Sequence, residues 1–236
     1  MSRIKYLSRV NLFQVLDTPD LQEIEDGIPI EPVPKGTVVY SPHTKKPMLY
    51  LVKSGTVRLY SVTAEGKELT LDVLGTGHIF GDIGSLVSDH NVHAIALEES
   101  VICTMDYEQF KFLLREKPEL GIRFIEIMSA RIKEVEELLE HMAYSSVRKR
   151  LLFLLYKLST KFAENSGTEA EGAGQTEWVK LKVELTHQEL ASMTGNIRET
   201  VTETLNQLMA EGILKKNGSR KALWIHTERL KKALVE

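Results

Sequence analysis

The stretch that most constrains this chain is Leu185–Leu214, LTHQELASMTGNIRETVTETLNQLMAEGIL. Thr186 and Glu189 stand at the S/T-x-x-E spacing of a capping box, in which two side chains satisfy orphan N–H groups at a helix start. Ala191 is small enough for a second helix to cross closely. Gly195 sits where a tight turn needs positive φ or close backbone approach. Beyond it, Val201, Leu205 and Leu208 fall at i, i+4 and i+7 and predict one buried stripe. Arg198, Glu199, Thr202, Glu203 and Asn206 are left on the other face. Two short helices about a glycine turn have the layout of a helix-turn-helix, whose second helix, at about 197–209, enters the DNA major groove. An ordinary helical hairpin has the same spacing, so the rest of the chain has to decide.

The charge of the whole chain, −3, is at first sight wrong for a nucleic-acid binder. It is unevenly spread. Residues 1–145 hold 15 Lys+Arg against 22 Asp+Glu, a balance of −7, and residues 146–236 hold 15 against 11, a balance of +4. An acidic front and a basic back suit a sensor joined to a DNA-binding domain, and 236 residues are enough for two domains. A single cysteine, Cys103, excludes a disulfide framework or a cysteine-ligated iron–sulfur cluster within one chain. No apolar run approaches the roughly 18 residues of a membrane span. The N-terminus, MSRIKYLSRV, lacks a signal-peptide pattern, so a cytoplasmic protein without a membrane partner is expected.

In chain order, the first thirty residues read as helical, with Thr18 expected as a cap before Pro19, until Pro29, Pro32 and Pro34 forbid continuation. From Gly36 to about Asp106 the period changes to two: around eight short runs such as TVVY, MLYLV and TVRLYSV, parted by glycine turns, predict a closed antiparallel barrel or jelly roll. Within it, Gly77–Leu86 (GHIFGDIGSL) packs glycines around an acid, a segment suited to letting backbone N–H groups approach a ligand. Tyr107–Lys117 reads as a short helix and Pro118 to about Tyr144 as a long one. Its Ile125, Met128, Ile132, Val135, Leu139 and Met142 are spaced 3, 4, 3, 4, 3, the seam of a coiled coil. Packing against the chain's own barrel is the alternative; a parallel homodimer is favoured because DNA half-sites come in pairs. Another helix spans Ser146 to about Phe162, a loop follows, and Trp178–Val183 reads as a strand. Beyond the opening motif, ILKKNGSRKALWIH is a basic hairpin, or wing, whose Lys216 and Arg220 would lie along phosphates. The expected domains are therefore a β-roll sensor at 1–117, a dimerisation helix at 118–145 and a winged helix-turn-helix at 146–236, an α+β architecture.

The order of these parts, with LYLVKSGTVRLY, the turn EGKE, GxxFGDIGSL and RETV, resembles the bacterial superfamily of cyclic-AMP receptor proteins and fumarate–nitrate regulators. The resemblance covers essentially the whole chain. It implies that Arg198 takes guanine O6/N7 and Glu199 accepts from cytosine N4, with Thr202 and Glu203 on the same face and His187 and Gln188 at phosphates. It also implies an effector pocket at Gly81, Asp82, Ile83, Val92, His93, Arg131 and Val135. Gly81 and Asp82 match a Gly-Glu pair that holds ribose, the acid one methylene shorter. Val92 and His93 stand where an Arg-Ser pair would hold a cyclic phosphate, and Val135 and Glu136 where hydroxyls would meet adenine. Without that arginine a buried phosphate loses several kcal/mol of a charge-assisted bidentate pair. Two expectations therefore stay open: an unidentified small molecule other than cyclic AMP as effector, or no ligand and control by protein abundance. No cofactor is assigned: a haem would need an axial ligand, and His43, His78, His90, His93 and Cys103 are scattered along the roll.

The chemistry of an enzyme is missing from the pattern. No nucleophile–base constellation, no metal-ligand spacing such as HExxH or CxxC, and no Walker loop occurs. The reading is a homodimeric regulator that binds an inverted repeat in double-stranded DNA, with RNA polymerase as a further candidate partner. The alternative is a nucleotide- or haem-responsive module acting through a protein partner, which would have no need of a winged motif.

Overall fold

The computed structural model describes residues 10–43, 48–81, 91–162, 178–216 and 223–235. It divides into two compact units, Met1–Val135 and Glu136–Glu236, with the boundary inside the long helix.

The first unit opens with a 3-10 turn, Asn11–Val15, that buries Leu12 and Phe13 completely. Helix α1 spans Thr18–Gly27. Its cap is Asp17 and not Thr18: the Asp17 carboxylate accepts from the Asp20 N–H at 3.0 Å, which leaves the proline inside the first turn where its missing N–H costs nothing. The strands that follow are β1 (Ile30–Val33), β2 (Val38–Tyr40), β3 (Met48–Ser54), β4 (Val57–Val62), β5 (Glu68–Leu74), β6 (Ile79–Gly81), β7 (Val92–Ala96) and β8 (Ser100–Asp106). They form two antiparallel four-stranded sheets, ordered β1-β8-β3-β6 and β2-β7-β4-β5. Val52, Val57, Leu59, Leu74, Ala94 and Ile102 interleave in one core. The period-two alternation is what achieves this, because residues i and i+2 share a face. A second core joins Leu49, Leu51 and Ile79 to Leu12, Phe13, Phe110 and Leu120.

Helix α2 (Tyr107–Glu116) begins with a reciprocal capping box: Asp106 accepts from the Gln109 N–H at 2.8 Å, and the Gln109 side chain accepts from the Asp106 N–H at 2.9 Å. Helix α3 runs from Pro118 to Tyr144. Its expected seam separates into two kinds of residue. Ile125, Ile132, Val135 and Leu139 are 65, 61, 48 and 62% exposed in the single chain. Met128 instead packs half-buried against the roll core beside Phe124 and Ile127. Ile122, 66% exposed, joins the open stripe.

The second unit holds the end of α3, then α4 (Val147–Lys161), β9 (Trp178–Lys180), α5 (His187–Thr194), α6 (Arg198–Ala210), β10 (Leu214–Lys216), β11 (Leu223–His226) and α7 (Thr227–Val235). Strand β9 ends three residues before the Val183 expected from its apolar alternation. A three-stranded sheet, β10-β11-β9, stands beside the helices. Leu151, Leu155, Leu205 and Leu208 are buried to 2% exposure or less. The end of α3 is tied to α4: the Glu137 carboxylate meets Lys157 Nζ at 2.5 Å, and His141 stacks on Phe153 with centroids 3.8 Å apart. Arg150 donates to the Ser145 carbonyl at 3.0 Å and to the Thr194 carbonyl at 3.3 Å. It thereby links the α3–α4 corner to the end of α5.

Candidate nucleic-acid interface and roll cavity

The capping box anticipated at Thr186 forms. Its hydroxyl accepts from the Glu189 N–H at 3.1 Å and the Glu189 carboxylate accepts from the Thr186 N–H at 2.6 Å. Gly195 ends α5 in the left-handed conformation at φ +63, and a Cβ there would lie 2.5 Å from Met142 Cε. The turn is therefore tight because glycine permits both the dihedral and the contact. Met142, expected in the seam, is half-buried with its methyl group at this turn. Across the turn, α6 buries Val201, Thr204, Leu205 and Leu208. The opposite face carries Arg198, Glu199, Thr202, Glu203, Asn206 and Gln207. Arg198, Glu199 and Glu203 are exposed, so their functional groups are free to meet a surface.

Asn196, a capping residue by type, does not cap α6. Its side-chain amide turns back and donates to the Thr194 carbonyl at 2.7 Å. The N-cap is Ile197, without a side-chain hydrogen bond and 65% exposed, so the first-turn N–H groups of α6 are left without a capping side chain.

His187, Thr202 and Lys216 make a connection the sequence did not announce. Thr202 Oγ1 donates to the Arg198 carbonyl at 2.8 Å, so its lone pair accepts from His187 Nδ1 at 2.8 Å. The other ring nitrogen, Nε2, then carries the lone pair facing Lys216 Nζ at 3.4 Å. The chain of donors runs from β10 to α6 through a neutral imidazole. Burial first, then the Lys216 and Arg198 cations, hold the His187 pKa below its ordinary 6.5. The unfolded chain thus takes up this proton at higher pH than the folded one. This contribution to stability is present above pH 6.5 and is lost as the pH falls from there through the depressed folded value. Melting temperature measured from pH 7.5 to 5 should fall more steeply for the wild type than for His187→Gln; parallel curves would contradict the assignment. Gln188 is exposed on the same turn, and Arg220 lies outside the described residues.

The roll contains a cavity of about 320 Å³ whose walls include Leu49, Leu59, Phe80, Val92, Phe124 and Met128. Of the expected pocket residues it brings together Gly81, Val92 and Arg131. Gly81 has φ +114, and a Cβ there would lie 2.2 Å from the Met48 carbonyl oxygen, so strand β6 can pass this close to β3 only with glycine. Arg131 donates to the Ile79 carbonyl at 3.4 Å and stands 3.7 Å from the Asp72 carboxylate. His93 is not among the described lining residues: alternation along β7 turns it away from Val92, and it stacks on Tyr60 with centroids 5.1 Å apart. Val135 is not among the described residues that line this cavity and stands on the exposed stripe of α3. Asp82 and Ile83 lie outside the described residues. Phe124 and Asp72 went unforeseen. Phe124 lies one residue before the seam position Ile125, and Asp72 pairs with Leu59 beside the β4–β5 register shift between Leu59 and Tyr60.

Residues 30–117 match the family described as Cyclic nucleotide-binding domain, and residues 149–233 match the Crp-like helix-turn-helix domain. The chain belongs to the Crp/Fnr family. Relatives of this Crp/Fnr protein include the cyclic AMP receptor protein of Thermus thermophilus, 28% identical over 183 residues that cover 77% of each chain. The fumarate and nitrate reduction regulatory protein of Vibrio cholerae is 26% identical over 211 residues, 87% of this chain and 78% of that one. A CooA mutant from Carboxydothermus hydrogenoformans shares the fold, with a TM-score of 0.71, 23% identity and 90% of both chains covered. As a Crp/Fnr member the protein is a DNA-binding transcription regulator and not an enzyme. Among the described residues no helix is long and apolar enough to cross a membrane.

Proposed function

We propose that two copies of this Crp/Fnr regulator pair along α3 and bind an inverted repeat, each presenting α6 to one half-site. The observation that carries the reading is the first turn of α6, where Arg198 and Glu199 stand exposed above a buried Val201. Arginine matches guanine O6/N7 and glutamate matches cytosine N4, so the pair can read a guanine and a cytosine. Thr202, Glu203 and Asn206 continue that face, His187 and Gln188 flank it, and Lys216 with Arg220 supplies the wing's phosphate contacts. The open stripe Ile122, Ile125, Ile132, Val135 and Leu139 supports the pairing, because apolar side chains this exposed gain by burial against a second copy. The roll cavity would take a small effector that shifts the population between two arrangements of the dimer. RNA polymerase is the partner proposed at the promoter, and the cytoplasm the place.

Selection from random double-stranded DNA by the full-length protein tests this. Recovery of a two-fold symmetric site, with half-sites about 10–11 base pairs or a multiple apart, is the expected result. A single asymmetric site, or no enrichment, would refute it.

A further inference from the structure

The effector role of the roll cavity belongs to the function proposed above, and this inference rests on that reading while naming the ligand's chemistry. The walls at Leu49, Leu59, Phe80, Val92, Phe124 and Met128 are hydrocarbon or aromatic. Among the described lining residues, Arg131 is the one with a formal charge. A guanidinium carries five N–H donors in a fixed fork. The described contacts of Arg131 are the Ile79 carbonyl at 3.4 Å and the Asp72 carboxylate at 3.7 Å. Both are long beside the ~2.7–2.9 Å of a charge-assisted bond. The fork is oriented but far from saturated.

We propose that the cavity takes a small monocarboxylate with an aromatic or branched apolar body, whose carboxylate replaces Asp72 on Arg131. The volume of about 320 Å³ lies near the lower end of small-molecule sites, ~300–1,000 Å³. A cyclic nucleotide would set ribose hydroxyls and ring nitrogens against Leu49, Leu59 and Val92. Each polar group left unpaired there costs about 1–3 kcal/mol. A dianion would bring two negative charges to one guanidinium with the Asp72 carboxylate still nearby. A monoanion exchanges one charge for one. Asp72 tolerates the exchange, since its Oδ1 already accepts from the Val73 N–H at 2.7 Å and its side chain is 23% exposed to water. The Arg131 fork belongs to α3, the helix that carries the open apolar stripe, so the ligand would act directly on the pairing element.

Calorimetry on the full-length protein tests this with phenylacetate, 4-methylpentanoate, phenylacetamide, succinate and cyclic AMP as probes. The two monocarboxylates should bind saturably, and the neutral amide and the dianion at least roughly tenfold more weakly, the share of one charge-assisted pair. Arg131→Gln should erase the preference of phenylacetate over phenylacetamide. Val92→Phe, which fills the cavity and leaves Arg131 in place, should weaken every probe while circular dichroism stays native. Tighter binding of cyclic AMP than of either carboxylate, a preference that survives Arg131→Gln, or unchanged binding in a folded Val92→Phe protein would each overturn the proposal. A DNA gel shift run in parallel separates two failures. DNA binding without any carboxylate binding overturns the ligand class alone; no DNA binding overturns the reading on which it rests.

Discussion

Ile132→Glu is expected to convert the proposed dimer into a folded monomer and to weaken operator binding by about two to four orders of magnitude, the loss that follows when two linked half-site contacts become independent. Ile132 lies mid-helix in the open stripe and is 61% exposed in the single chain, so a glutamate there costs the isolated fold little. In the dimer each copy would lose the roughly 1.5–3 kcal/mol gained by burying a large aliphatic side chain. It would also bring a carboxylate against its symmetry mate within an apolar stripe. The prediction separates the two readings of α3 left open by the 3-4 spacing. A helix that merely packs on its own roll would lose stability on substitution at Met128, which faces the core, and would ignore Ile132. Sedimentation velocity and gel shift on the same sample decide it. A dimer of unchanged affinity would show that the stripe is not the interface, whereas a monomer with a native circular dichroism spectrum is the expected outcome.

The sequence made the skeleton legible because local rules wrote it. A capping box at Thr186 and Glu189, a turn glycine at Gly195 and the i, i+4, i+7 stripe placed both helices of the reader. Period-two runs placed the strands of the roll. What stayed hidden depends on choices that local rules leave degenerate. Val92 and His93 are neighbours in the chain, and only the sheet decides which faces the cavity. On α3 the heptad spacing does not say which apolar residues the roll claims, so Met128 read as seam while Ile122 escaped notice. The Arg131–Asp72 approach joins residues far apart in the chain, and the His187–Thr202–Lys216 connection joins residues 15 and 29 positions apart. Asn196 has the residue type of a helix cap but does not serve as one. The Thr194 carbonyl at the end of α5 takes its amide instead.

Arg198→Ala should abolish discrimination at one base pair of each half-site while leaving non-specific DNA binding nearly intact. A bidentate arginine–guanine contact is worth about 1–3 kcal/mol of discrimination. Two copies on a symmetric site make that about 2–6 kcal/mol, because contacts well separated on the DNA add. The loss at the cognate site is thus on the order of 30-fold at the low end and beyond ten-thousandfold at the high end. Lys216→Ala supplies the contrast. A wing lysine on a phosphate carries no sequence information, so its removal should weaken all DNA alike and lower the salt slope by about one per copy. The two substitutions remove the same charge, and their difference isolates base reading from electrostatics. Glu203 sharpens the expectation further. A carboxylate one turn beyond Arg198, exposed on the same face, repels phosphate unless it accepts from a cytosine amine. Glu203→Gln should therefore raise affinity for all sequences if Glu203 stands clear of the bases, and should relax one position of the half-site if it reads a cytosine. Selection from random DNA with the wild type, Arg198→Ala and Lys216→Ala gives the deciding measurement. If Arg198→Ala returned the wild-type half-site at wild-type enrichment, α6 would not be the reading element.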